Sequence, residues 1–93
     1  MDTGDLSDKT YHAIIVEAER FNHALTLQFG LLSYECKDEK EFIEKSKNLV
    51  KELQETDETT IADMFFGDPP KKADFHKVLN KLLMNIIELQ KEQ

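Results

Sequence analysis

The stretch from Tyr11 to Tyr34, YHAIIVEAERFNHALTLQFGLLSY, decides the fold. Tyr11, Ile14, Ile15, Ala18, Phe21, Leu25, Phe29 and Leu32 recur in steps of three and four, the spacing of one helix face. Read this way, a single helix of about six turns crosses the stretch and carries Gly30 inside it, at a cost of ~1 kcal/mol relative to Ala. A second reading covers residues 25–36. Leu25, Leu27 and Phe29, then Leu32, Tyr34 and Cys36, alternate with period two, as a short hairpin turning near Gly30 would. Two strands alone are marginal in water, and the helical pattern runs through the same residues unbroken, so helix is preferred.

Working outward, Ser7 or Asp8 is the candidate N-cap of this first helix, and residues 1–8 are short, polar and expected to fray. On the other side, Asp38 followed by Glu41 has the form of a capping box. Phe42, Ile43, Ser46, Leu49, Val50 and Leu53 then form one stripe, flanked by the opposite-charge pairs Glu41/Lys45, Lys40/Glu44 and Lys51/Glu55 one turn apart. Residues 55–60 lack apolar periodicity and read as a loop. Thr59 or Thr60 caps a short turn, Ile61 to Phe66, closed by Gly67. Asp68-Pro69-Pro70 reads as a new helix start, with Asp68 as cap and proline in the first turn. Phe75, Val78, Leu79, Leu82, Leu83, Ile86, Ile87 and Leu89 make the last amphipathic helix. The expectation is therefore an all-α fold: one small bundle over residues 1–93, with three long helices and one short helical turn.

Composition narrows the function. With 12 Lys+Arg against 19 Asp+Glu, the 93-residue chain carries a net charge of −7. Residues 1–68 hold 16 acids and 7 bases, whereas 69–93 hold 5 bases and 3 acids, among them Lys71, Lys72, Lys77, Lys81 and Lys91. An acidic balance disfavours direct binding to nucleic acid or to an anionic membrane, both of which draw on Lys and Arg. One cysteine, Cys36, permits no internal disulfide and no CxxC pair. The first residues lack a basic-then-apolar leader, and no apolar run is long enough to cross a bilayer, so a cytoplasmic location is expected.

Catalytic residues are not expected. There is no glycine-rich phosphate loop, Ser33 and Cys36 have no neighbouring histidine, and Glu17 and Glu19 point to different sides of a helix. No cofactor is implied. Glu19 and His23, four residues apart, are the one two-ligand half-site for a metal, and no Glu-x-x-His motif completes it.

The remaining signals concern contact. Opposite the main stripe of the first helix lie Ala13, Val16, Ala24, Leu27 and Leu31, interrupted by Arg20. A helix apolar on both sides is either central in its own bundle or covered by another chain. Met64-Phe65-Phe66-Gly67-Asp68-Pro69-Pro70 sets two aromatics beside a rigid turn, with Phe65 expected to plug the bundle end. Val16, Leu27, Leu31, Phe65 and Phe66 are thus the candidate partner-interface residues. The expected function is a non-enzymatic interaction or scaffolding module, a homodimer joined through its first helix. Two alternatives are an acidic inhibitor imitating nucleic acid, and a metal or small-ligand carrier formed between subunits.

Overall fold

A computed structural model describes residues 5–92. Among them there are helices and no strand. The first helix, α1, covers 8–21: an α-turn at Asp8–Thr10, a π-helical segment at Tyr11–Val16, then α-helix again at Glu17–Phe21. Four more follow, α2 at His23–Glu35, α3 at Glu39–Glu55, α4 at Glu58–Met64 and α5 at Lys72–Lys91. The hairpin reading of residues 25–36 is overturned, because α2 occupies them.

The single long helix expected across 11–34 is also overturned. Asn22 is extended, with φ −167° and ψ 139°, and its side-chain oxygen accepts a 2.7 Å hydrogen bond from the Ala24 N–H. Asn caps helices well because its short side chain satisfies an otherwise orphan donor. Here that preference stops α1 and starts α2 within one residue.

The chain then folds back. At the base of the molecule, the Ser7 N–H and hydroxyl both donate to Glu39 Oε1, at 3.2 and 2.6 Å, joining the start of α1 to the start of α3. Lys9 pairs with Glu92, and Asn85 Nδ2 donates to the Ala13 carbonyl at 2.9 Å, so α5 runs antiparallel to α1. Lys47 donates to Gln90 and Gln54 to Asn80, so α3 and α5 are antiparallel too. The neighbouring pairs are α1 with α2, α2 with α3, α3 with α5, and α5 with α1. The four longer helices thus stand up-down-up-down in a square, 35 Å along the longest axis, about the 30 Å that a 20-residue helix spans. Five helices replace the expected three and a turn, and the extra long one comes from the break at Asn22.

The core runs through the middle of the square: Ile14, Ala18, Leu25, Phe29, Phe42, Val50, Leu79, Leu82 and Ile86 are all fully buried. Ser46 is buried with them, and its Oγ has no hydrogen-bond partner among the described residues. Across the top, Phe21, Phe65 and Phe75 meet as a trio, with ring centroids 5.5–6.4 Å apart. Edge-to-face and offset pairs at these distances are favourable beyond the area they bury.

Several ends depart from the sequence reading. Leu6 is buried and Ser7 caps α1, so residues 5–8 are held rather than frayed; residues 1–4 lie outside the described residues. α4 starts earlier than expected, capped by Asp57 and not by Thr59 or Thr60. α5 starts later, at Lys72, with Lys71 in the cap position and no side-chain cap bond. Asp68 is not its cap, since Pro70 crowds Pro69 away from the helical region and delays the start.

Candidate interaction surface

The break at Asn22 re-sorts the two apolar sides of the expected first helix. On α1, Ile14, Ile15 and Ala18 turn inward and Val16 is half-buried. On α2, Ala24, Leu25, Phe29 and Ser33 turn inward. Leu27, Leu31 and Tyr34 are left on the outside, 42%, 62% and 68% exposed. They sit at steps of four and three and so form one outward stripe. Val16 belongs to a different helix and does not extend it.

Gly30 lies within this stripe. A Cβ placed there would meet no atom within 4 Å, so no neighbouring helix of the chain requires the glycine. Its carbonyl accepts a 2.6 Å bond from the Ser33 hydroxyl. Of the thirteen residues of α2 only Glu35 is formally charged with histidine neutral, whereas nine of the seventeen in α3 are charged. The outward side of α2 carries a single charge, Glu35 at its C-terminal end, on a strongly acidic chain.

The aromatic pair near the proline turn divides. Phe65 is buried in the trio above, as its expected plugging role requires, and is unavailable as an exposed contact. Phe66 is 81% exposed and holds φ +59°. The Gly67 N–H bonds the Ala62 carbonyl and the Phe66 N–H bonds the Asp63 carbonyl, which is the Schellman arrangement. Phe66 therefore occupies the left-handed position usually given to glycine, and Gly67 comes one residue later.

Glu19 and His23 lie 3.5 Å apart across the α1–α2 break and both are exposed. Among the described residues no group of three or more His, Cys, Asp or Glu side chains gathers to hold a metal ion. At the top of the bundle a cleft of about 630 Å³ opens between the end of α3, the start of α4 and Pro69-Pro70. Leu53, Ile61 and Phe75 form its apolar floor, and Glu55, Glu58 and His76 lie along its rim. Thr56 Oγ1, also in its wall, is committed to the Glu52 carbonyl at 2.6 Å.

The titratable groups with displaced pKa values serve the helix junctions. Hydrogen bonds from Ser7, then Thr10, hold Glu39 below the ordinary carboxylate value. The Lys45 ammonium and the Lys37 N–H do the same for Glu41, and the Thr60 N–H for Asp57. Burial pushes the Cys36 thiol up, with Glu41 adding to the shift.

The sequence reading reached Leu27, Leu31 and Phe66 but passed over Tyr34. The signal was present, because Tyr34 continues the same four-and-three spacing from Leu27 and Leu31. Ile87, read as core, is 38% exposed beside Met84 on the outer side of α5. No helix is long and apolar enough to cross a membrane among the described residues. No family model, no curated protein and no solved structure matches the chain.

Proposed function

We propose that this protein is a non-enzymatic protein–protein interaction module that self-associates, docking through the outward face of α2. The supporting observation is the exposure of Leu27, Leu31 and Tyr34 together on a helix side whose one charged residue, Glu35, stands at its end. Burying such side chains removes apolar surface from water at about 25 cal/mol per Å². A second copy is the partner best suited to that side. Two chains of net charge −7 repel through most of their surfaces, and a helix face with its one charge, Glu35, at its end keeps that repulsion low at short range.

One face of a 13-residue helix is smaller than the ~800 Å² per partner of a standard stable interface, so the association is weak and reversible. Replacing Leu31 with Glu tests the reading. Its side chain points outward, so circular dichroism and melting should stay as in the unsubstituted protein, while light scattering reports a monomer. A Leu31→Glu protein that is folded and still associates at the same concentration would refute the reading.

A further inference from the structure

The cleft at the top of the bundle lies apart from the outward face of α2, and its floor reaches the core. Leu53, Ile61 and Phe75, which form that floor, are each less than a tenth exposed. Its volume of about 630 Å³ falls within the ~300–1,000 Å³ of small-molecule sites. Charge of both signs lines it. Glu55 at the end of α3 and Glu58 in the first turn of α4 stand on one side, and Lys72 and His76, one turn apart on α5, on the other. Among the described residues none of these four side chains makes an ion pair or hydrogen bond, although Glu41 and Lys45 within α3 pair at 3.1 Å. Asp57, also in the wall, is by contrast committed to the Thr60 N–H. Gln54 donates to Asn80 at 2.9 Å and so ties the two sides together one turn beyond His76.

We infer that this cleft binds a small zwitterion with an apolar body, the chemistry that a free apolar amino acid and a short apolar peptide share. An ammonium group finds Glu55 and Glu58. A carboxylate finds the Lys72 ammonium and a ring N–H of His76, and an apolar side chain between them covers Leu53, Ile61 and Phe75. A ligand of one sign fits less well, since an anion meets the two carboxylates and a cation meets Lys72. The first turn of α5 adds to the carboxylate side, because Pro70 and Lys72 line the cleft and the helix dipole is positive there. Asp74, the acid of that turn, is not in the wall. Glu55, Glu58 and Lys72 are exposed and His76 is half-buried, so each ion contact contributes up to about fivefold and the affinity is roughly millimolar.

The test is a titration of the isotope-labelled full chain with L-leucine and leucyl-leucine, followed by amide NMR shifts. N-acetyl-leucine lacks the ammonium group, leucinamide the carboxylate and glycine the apolar side chain. Saturable shifts at Ile61, Phe75 and His76 are expected with the two zwitterions, and binding about fivefold weaker or less with each of the three controls. Tighter binding of leucyl-leucine would assign the cleft to peptides, and tighter binding of L-leucine to free amino acids. No saturable shift with either, or blocked forms that bind as well as the zwitterions, would overturn the inference. Glu55→Gln with Glu58→Gln, and separately Lys72→Gln, should each weaken leucyl-leucine binding several-fold while shifts elsewhere in the bundle stay in place. Unchanged affinity in either variant would overturn it too. Leu31→Glu should bind both probes as the unsubstituted protein does, since the cleft and the α2 face share no residue.

Discussion

At the scale of single residues, Phe66 pairs a costly backbone with an exposed ring. Its φ of +59° is a conformation in which a Cβ crowds the following carbonyl, at roughly 1–2 kcal/mol for a non-glycine residue. At 81% exposure the ring recovers little of this by packing. Phe66→Gly should therefore raise the unfolding free energy by about 1 kcal/mol in urea titrations. A lower value would mean that the ring packs more than its exposure indicates. The sequence showed that a helix ends here, because Gly67 is a strong stop signal. It did not show which residue takes the first left-handed position, since that depends on where the last turn of α4 closes. At its other end α4 is capped by Asp57, whose carboxylate accepts from the Thr60 N–H at 2.8 Å, and not by the threonines that follow.

At the scale of elements, the break at Asn22 governs the rest. Periodicity alone runs across it, because one extended residue removes too little from a three-and-four pattern to be seen. The trace it left was the second apolar side over residues 13–31, the signature of two helices with separate phases read as one. Asn22→Ala removes the side-chain bond to Ala24 and should cost about 1 kcal/mol of stability. A neutral result in urea titrations would show that packing, and not the cap, fixes the turn. By contrast, the Asp38 cap of α3 was legible because it is local: Asp38 accepts from the Glu41 N–H at 2.8 Å. Even there the return bond differs, with Glu41 accepting from the Lys37 N–H in place of Asp38.

The clamp between α1 and α3 has a consequence for pH. Glu39, bonded by Ser7 and Thr10, titrates below its ordinary 4.5 in the folded chain. The unfolded chain therefore takes up its proton first as acid is added. Glu39's contribution is fully present above the ordinary value and is lost as pH falls through the lower folded one. The urea midpoint should fall more steeply below about pH 4.5 in the unsubstituted protein than in Glu39→Gln. Equal slopes would contradict the role given to this carboxylate.

At the scale of the whole molecule, the all-α class was readable from hydrophobic spacing, and the four-helix square was not. Local patterns report which residues form helices, whereas the number of long helices here turned on one capped residue. The candidate surface was legible in part for the same reason. Leu27 and Leu31 stood out as surplus apolar residues, but only the fold-back at Asn22 separates them from Val16, joins them to Tyr34 and removes Phe65 to the core. The central claim is that the exposed apolar face of α2 brings two acidic chains together. Equilibrium sedimentation of the unsubstituted protein, from low micromolar to about millimolar concentration, tests it most directly. The account predicts an average mass that climbs from 10.8 kDa toward twice that value. A mass that stays at 10.8 kDa throughout would contradict it.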